Sequence, residues 1–223
     1  KTPPMKLKKN IILRIADVLL AKGEHKNSIT FLDSVYNIYQ IQEIKNKLIE
    51  VHLFSGNPDT ALSIINETFS LITPVNSSFN DLMEIRDIIN YYHTNLDDLD
   101  KNAFKQFLKA EYLLKQRKIS EASQLLNHTI DKNSALKIIP LISLRRAILL
   151  LKMKKFDQAL NQIVSIENSS LGDKSIIMAG QIYEQVYNNN EKAMEYYMRI
   201  INNYTNSIYF EPVRYHIRML NNS

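Results

Sequence analysis

The segment FKQFLKAEYLLKQRKISEASQLL (residues 104–126) and the segment LRRAILLLKMKKFDQAL (residues 144–160) are one pattern written twice. Each carries a small residue in a first apolar stretch, Ala110 or Ala147, and another twelve residues later, Ala122 or Ala159. A short basic turn lies between them, Arg117-Lys118 in one and Lys154-Lys155 in the other. The surrounding apolar residues fall at helical spacing, so each segment predicts two antiparallel helices. Small residues at matched positions let the two helices approach closely, and the larger side chains fill the space around them.

The same unit recurs on either side. Residues 6–22 carry Leu7, Ile11, Ile12, Ile15, Ala16, Leu19 and Leu20 and stop at Gly23, a left-handed cap. A second helix follows over 25–39. Residues 41–72 hold the next unit, broken at Gly56; Pro58 suits the first turn of a helix in which Ala61, Ile64, Ile65, Phe69 and Leu71 are apolar. The loop at 73–78 leads to a helix over 79–95, capped by Asn80 or a neighbouring serine. No small residue and following helix complete that unit. The acidic turn at 95–100 runs straight into the Phe104 helix. The regular pairing therefore slips between 73 and 100, which predicts a bend or an extra-long helix pair. Units over roughly 100–131 and 136–167 come next, and Pro140 is placed in the first turn of the latter. The unit at 173–203 has Gly180 and Ala193 thirteen apart, so its turn is predicted to be one residue longer. A last helix at about 207–220, with Ile208, Tyr209, Val213, Ile217 and Leu220 apolar, reads as a terminal cap.

Composition narrows the functional classes. The chain has 223 residues, 45% hydrophobic and 23% charged, with only 4 Gly and 6 Pro to interrupt helices. It has no cysteine, which excludes disulfides and thiolate metal sites. No apolar run approaches the roughly 18 residues of a membrane span. It begins Lys-Thr-Pro-Pro without a methionine and is read as a fragment of a longer protein. Net charge is +5. Basic residues gather at Lys1, Lys6, Lys8, Lys9 and Arg14, at Lys115 to Lys118, and at Arg145 to Lys155. They read as solvated helix ends, with an anion-binding patch as the alternative.

There is no Gly-rich phosphate loop, no Gly-x-Ser-x-Gly and no His-Glu-x-x-His. The five histidines are dispersed and none pairs with another at ligand spacing. Neither catalysis nor a cofactor is expected. The C-terminal part is rich in tyrosine: Tyr183, Tyr187, Tyr196, Tyr197, Tyr204, Tyr209 and Tyr215, with Tyr183 and Tyr187 one turn apart and able to stack. These rings read as filling between helices, or as a contact patch. Asn-x-Ser/Thr triplets at Asn66, Asn76, Asn127, Asn168 and Asn203 are put down to the abundance of asparagine.

The second helices open at Ser28, Ala61, Ala122, Ala159 and Ala193, at intervals of 33, 61, 37 and 34 residues. With Ala16, Gly23, Gly56, Ala110, Ala147 and Gly180 they resemble the tetratricopeptide repeat family. That resemblance implies an all-α fold, an α-α superhelix of about five to six helix pairs with a C-terminal capping helix, in one domain over 1–223. The sequence departs from the family pattern where Ser28 replaces alanine, where Arg117 and Lys154 replace the turn glycine, and in having no tryptophan. Residues 179–220 look like the C-terminal end of bacterial tetratricopeptide proteins, many of them in the cell envelope. This implies the periplasm or an outer-membrane association rather than the cytoplasm.

The resemblance further implies a non-enzymatic scaffold that binds a protein segment on a concave face lined by the first helices, or at the tyrosine-rich end. The residues projected onto that face include Glu50, Phe104, Phe107, Glu111, Leu114, Leu144, Ile148, Leu151, Gln181 and Glu184. The apolar members of this set read as core packing, or as a groove for a partner segment. A monomer is favoured. Nucleic-acid or anionic-surface binding through the basic turns is the second reading, and carbohydrate binding by an envelope protein the third, against which the absence of tryptophan counts.

Overall fold

The computed structural model describes residues 5–132 and 134–221, which form twelve α-helices and no strand. The opening Lys-Thr-Pro-Pro, with Lys1 of the first basic cluster, lies outside them. The chain divides into two compact units, Lys1–Leu125 and Leu126–Ser223, so the boundary falls inside α7 (Ile119–Lys132).

The first unit holds α1 (Met5–Ala21), α2 (His25–Tyr39), α3 (Gln42–Phe54), α4 (Pro58–Phe69), α5 (Phe79–Tyr92) and α6 (Asp98–Lys115), then the start of α7. Each helix from α1 to α5 packs on the next, and α1, α3 and α6 also touch one another. This accounts for the slip between 73 and 100. α5 packs on α4 and α6, and it is α6 that lies against α3 and α1. Ile12, Ala16 and Leu20 of α1 meet Leu32, Ile44, Leu48 and Val51 in one core, against which Tyr112 of α6 also packs. The Tyr112 ring stacks on Phe54 with centroids 6.2 Å apart.

The second unit holds the end of α7, then α8 (Ile139–Lys152), α9 (Phe156–Val164), α10 (Gly172–Gln185), α11 (Asn190–Asn203) and α12 (Phe210–Asn221). Ala147, Ile163, Ala179 and Ile182 form one core between α8, α9 and α10. Ile176, Ala193, Tyr197, Ile200 and Val213 form another between α10, α11 and α12. All five residues opening the second helices, Ser28, Ala61, Ala122, Ala159 and Ala193, have no exposed surface. Burial of small side chains at each crossing is what brings the helix axes together.

Two kinds of turn connect the helices. In the first four pairs the turn inside the pair closes with the same two hydrogen bonds. Gly23 N donates to Leu20 O and Glu24 N to Leu19 O; equivalents of the second bond run from Asn57 N to His52 O, Lys118 N to Leu113 O and Lys155 N to Leu150 O, all at 2.8 to 2.9 Å. The residue at the bend is left-handed: Gly23 and Gly56, but also Arg117 (φ +62°) and Lys154 (φ +58°). The backbone adopts the Schellman geometry although two of the four bends lack glycine. In the fifth pair Asn189 N reaches back six residues to Tyr183 O rather than five, with Asn188 left-handed. This is the extra residue expected there.

The turn between pairs also repeats, and sequence reading missed it. Asn76, Ser169 and Ser207 each accept from the backbone N–H two residues on, at 2.9, 3.2 and 3.1 Å. Their carbonyls accept from the N–H three residues on, where the next helix begins. The cap expected from Asn80 or a serine beside it is therefore not made. Asn80 lies inside α5, and Ser78 holds the Asn46 side chain at 2.8 Å instead. Leu71 lies beyond the end of α4 and Ile208 in the turn before α12, so both are exposed rather than on an apolar helix face.

Candidate functional site

In the first unit the touching helices α1, α3 and α6 carry a ladder of ion pairs. Lys9 pairs with Glu43, and Lys47 bonds Asp17 at 2.8 Å and also Glu50. Glu50 in turn takes Lys115 of α6 at 2.6 Å, and the Lys115 ammonium stands over the Phe54 ring. The Glu43 carboxyl is held below its ordinary range, chiefly by the hydrogen bond from Lys9. Burial pulls the Lys47 ammonium down, but its bonds to Asp17 and Glu50 outweigh this and raise it overall. Beside the ladder lies an open depression of about 440 Å³ whose lining includes Arg14, Asp17, Lys115 and Arg117. Neither Arg14 nor Arg117 forms an ion pair among the described residues. Arg14, Lys115 and Arg117 around the single carboxylate of Asp17 give the depression an excess of positive charge.

The residues projected from sequence divide sharply. Glu50 stands at the centre of the ladder. Phe104 is only 1% exposed, and its ring lies between those of His93 and Phe107. Leu144 is 8% exposed. These two are core side chains and offer no surface to a partner. Phe107, Glu111 and Leu114 are half-buried on α6, and Ile148 and Leu151 on α8, Leu151 packed against the α8–α10 core. Gln181 is exposed. Glu184 is engaged within the fold, accepting the Tyr197 hydroxyl at 2.6 Å and meeting Nε2 of His216 at 2.9 Å. Burial opposes ionisation of this carboxyl, but the two hydrogen bonds outweigh it and hold its pKa low.

The tyrosines divide too. Tyr197 is buried, and Tyr183, Tyr196, Tyr204 and Tyr209 pack against the core to which it belongs. The partner stacked on Tyr183 is Tyr196, at 24° between rings; Tyr187 meets it at 46°. Tyr187 also bonds Asp157, which pushes its phenol up to about 12. Among the basic turns, Lys118 approaches Glu121 at 3.8 Å, and Lys154 and Lys155 are exposed. No group of three or more histidine, aspartate or glutamate side chains among the described residues could hold a metal ion, and no helix is long and apolar enough to cross a membrane.

One exposed apolar face went unread. Met5, Leu7, Ile11, Ile15 and Val18 lie on the outside of α1, each between 41 and 52% exposed. The signal was in the sequence: α1 carries a second apolar stripe one turn at a time besides the buried Ile12, Ala16 and Leu20.

Helix pairs whose second helix opens each time on a fully buried small residue define an α-α repeat protein. The family model described as Tetratricopeptide repeat-like domain matches residues 74–219, more than half of the chain. The chain belongs to that family. No curated protein matches the sequence significantly. Among solved structures, PilF of Pseudomonas aeruginosa is similar at 13% identity and a TM-score of 0.40, over 93% of this chain and 96% of that one.

Proposed function

We propose that this chain is a non-enzymatic scaffold that binds a segment of another protein along the first-helix face of its N-terminal unit. Families of the tetratricopeptide type are in general interaction scaffolds rather than enzymes. The observation that carries the reading is the ladder from Asp17 through Lys47 and Glu50 to Lys115, continuous over three helices and bordered by the basic depression. Its charges are already placed by one another, so little ordering is needed when a partner binds. The half-buried Phe107, Glu111 and Leu114 are taken as the remainder of the contact on α6. The setting proposed is the bacterial envelope, which rests on the resemblance of residues 179–220 alone.

The test uses a photo-crosslinking residue at Phe107, and separately at Gln181 as a comparison, in cells expressing the chain. The captured protein is then purified and its affinity measured by calorimetry. Phe107→Ala and Glu111→Lys should each weaken binding, and Lys115→Glu should weaken it by about tenfold or more. Unchanged affinity in all three would remove the first-helix face as the binding site.

A further inference from the structure

Two surfaces of this chain lack a covering element among the described residues, and they are opposite in charge. The first is the outer face of α1. Leu7, Ile11, Ile15 and Val18 follow one another turn by turn, and the last three border an open depression of about 440 Å³. Arg14 also lines this depression, and Lys22 is exposed just past the end of α1; neither forms an ion pair among the described residues. The only acid of α1, Asp17, is held by Lys47.

The second surface is a groove beside α11 and α12, about 610 Å³ in volume. Met194, Met198 and Leu220 supply its apolar part, and Glu191 and Glu195 its exposed rim. Neither glutamate forms an ion pair among the described residues. α1, α3, α8 and α10 each have the following helix packed on them, whereas no helix among the described residues follows α12. The groove therefore has the form of a seat for one more antiparallel helix. Methionine side chains suit such a seat, because they adapt to the shape of what covers them.

We propose that a second copy of this chain is the occupant of both surfaces: α1 of one copy seats in the α11–α12 groove of the next. The Ile11–Ile15 stripe would bury against Met194 and Met198, with Arg14 and Lys22 facing Glu191 and Glu195. An α1–α1 contact would bring like charges together, whereas the head-to-tail contact pairs opposite ones. Because its two patches differ, this contact joins unlike surfaces of two copies, each chain offering one patch to its neighbour.

Sedimentation velocity of the 223-residue chain, from micromolar to submillimolar concentration, tests the proposal. The expected result is a weight-average mass rising with concentration above 26.0 kDa and falling with added salt. Ile15→Glu should weaken association by about tenfold or more. A chain carrying R14E and K22E, and another carrying E191K and E195K, should each stay monomeric alone and associate when mixed. All of these positions are on the surface, and circular dichroism checks that each variant folds. A chain monomeric throughout the range overturns the proposal. So does association that survives in the E191K/E195K chain alone. Binding of phosphatidylserine vesicles that is lost in Ile15→Glu, without self-association, would overturn it too and assign the α1 face to a lipid surface instead. A positive result leaves the partner site on α6 to be judged separately, since the Phe107 and Glu111 variants should associate normally.

Discussion

Gly180 of α10 lies directly against the ring of Tyr197 on α11: a β-carbon at Gly180 would stand 2.6 Å from Cε1 and 2.9 Å from Cδ1. The glycine is in the helix because the ring occupies its side-chain space. Ordinarily an alanine in mid-helix is better than a glycine by about 1 kcal/mol. Here the sign should reverse, with Gly180→Ala destabilising the chain by about 1–3 kcal/mol through overpacking. Urea unfolding measures this. Tyr197→Leu placed in the same chain should remove most of the additional cost, since the three nearest atoms all belong to that ring.

Arg117 and Lys154 hold the left-handed conformation that Gly23 and Gly56 adopt at equivalent bends. A side chain there costs about 1 kcal/mol, part of which glycine returns through greater freedom of the unfolded chain. Arg117→Gly and Lys154→Gly should therefore each raise stability, by up to about 1 kcal/mol. The reverse exchange, Gly56→Ala, should lower it by about 1 kcal/mol through backbone strain alone. A β-carbon at Gly56 would meet nothing within 4 Å. Thermal midpoints that move the other way would refute the shared geometry.

Ser28 is fully buried, and its hydroxyl has no hydrogen-bond partner. Four of the five equivalent positions are alanine. Ser28→Ala removes an unsatisfied polar group without opening a cavity and should stabilise the chain by about 1 kcal/mol. Calorimetric melting of the two proteins decides it, and a loss of stability would mean that the hydroxyl is satisfied in solution.

Burial holds the His52 imidazole below its ordinary range, more than the nearby Asp33 charge raises it. The unfolded chain therefore takes up this proton first as pH falls, and binds more protons than the folded one. Stability should decline as pH drops below about 6.5 and level off below the folded-state value. His52→Phe should flatten this part of the profile in urea titrations. Glu43 and Glu184, whose carboxyls are held low, lose stability in the same direction at lower pH.

The helix pairs were legible because small residues twelve apart have no better use than a close crossing. Ala110 with Ala122 and Ala147 with Ala159 gave the fold directly. The turn between pairs was not legible. Its acceptor is asparagine at 76 and serine at 169 and 207, and the equivalent bend at Leu136, where Ile139 N meets Leu136 O, has neither. The site was less legible than the fold. Phe104 and Phe107 are three residues apart on one helix, yet one is core and the other half-open. What separates them is the His93 ring beside Phe104, brought there by α5, the helix that interrupts the repeat. The ladder escaped notice because it joins residues some 30 to 65 positions apart, such as Asp17 to Lys47 and Glu50 to Lys115.

The fifth pair reaches its closing bond in six residues where the others take five, yet Ala193 is still fully buried and Gly180 still lies against α11, at the Tyr197 ring. A single inserted residue is thus taken up at the bend without disturbing the crossing on either side. For the gene, this makes the bend within a pair a place where one codon can be gained or lost and the protein still fold. The same insertion between Gly180 and the end of α10 would rotate every later contact of that helix by about 100°. Length variation should therefore survive at the bends and be purged within the helices, so that repeats drift in length while their crossings stay fixed.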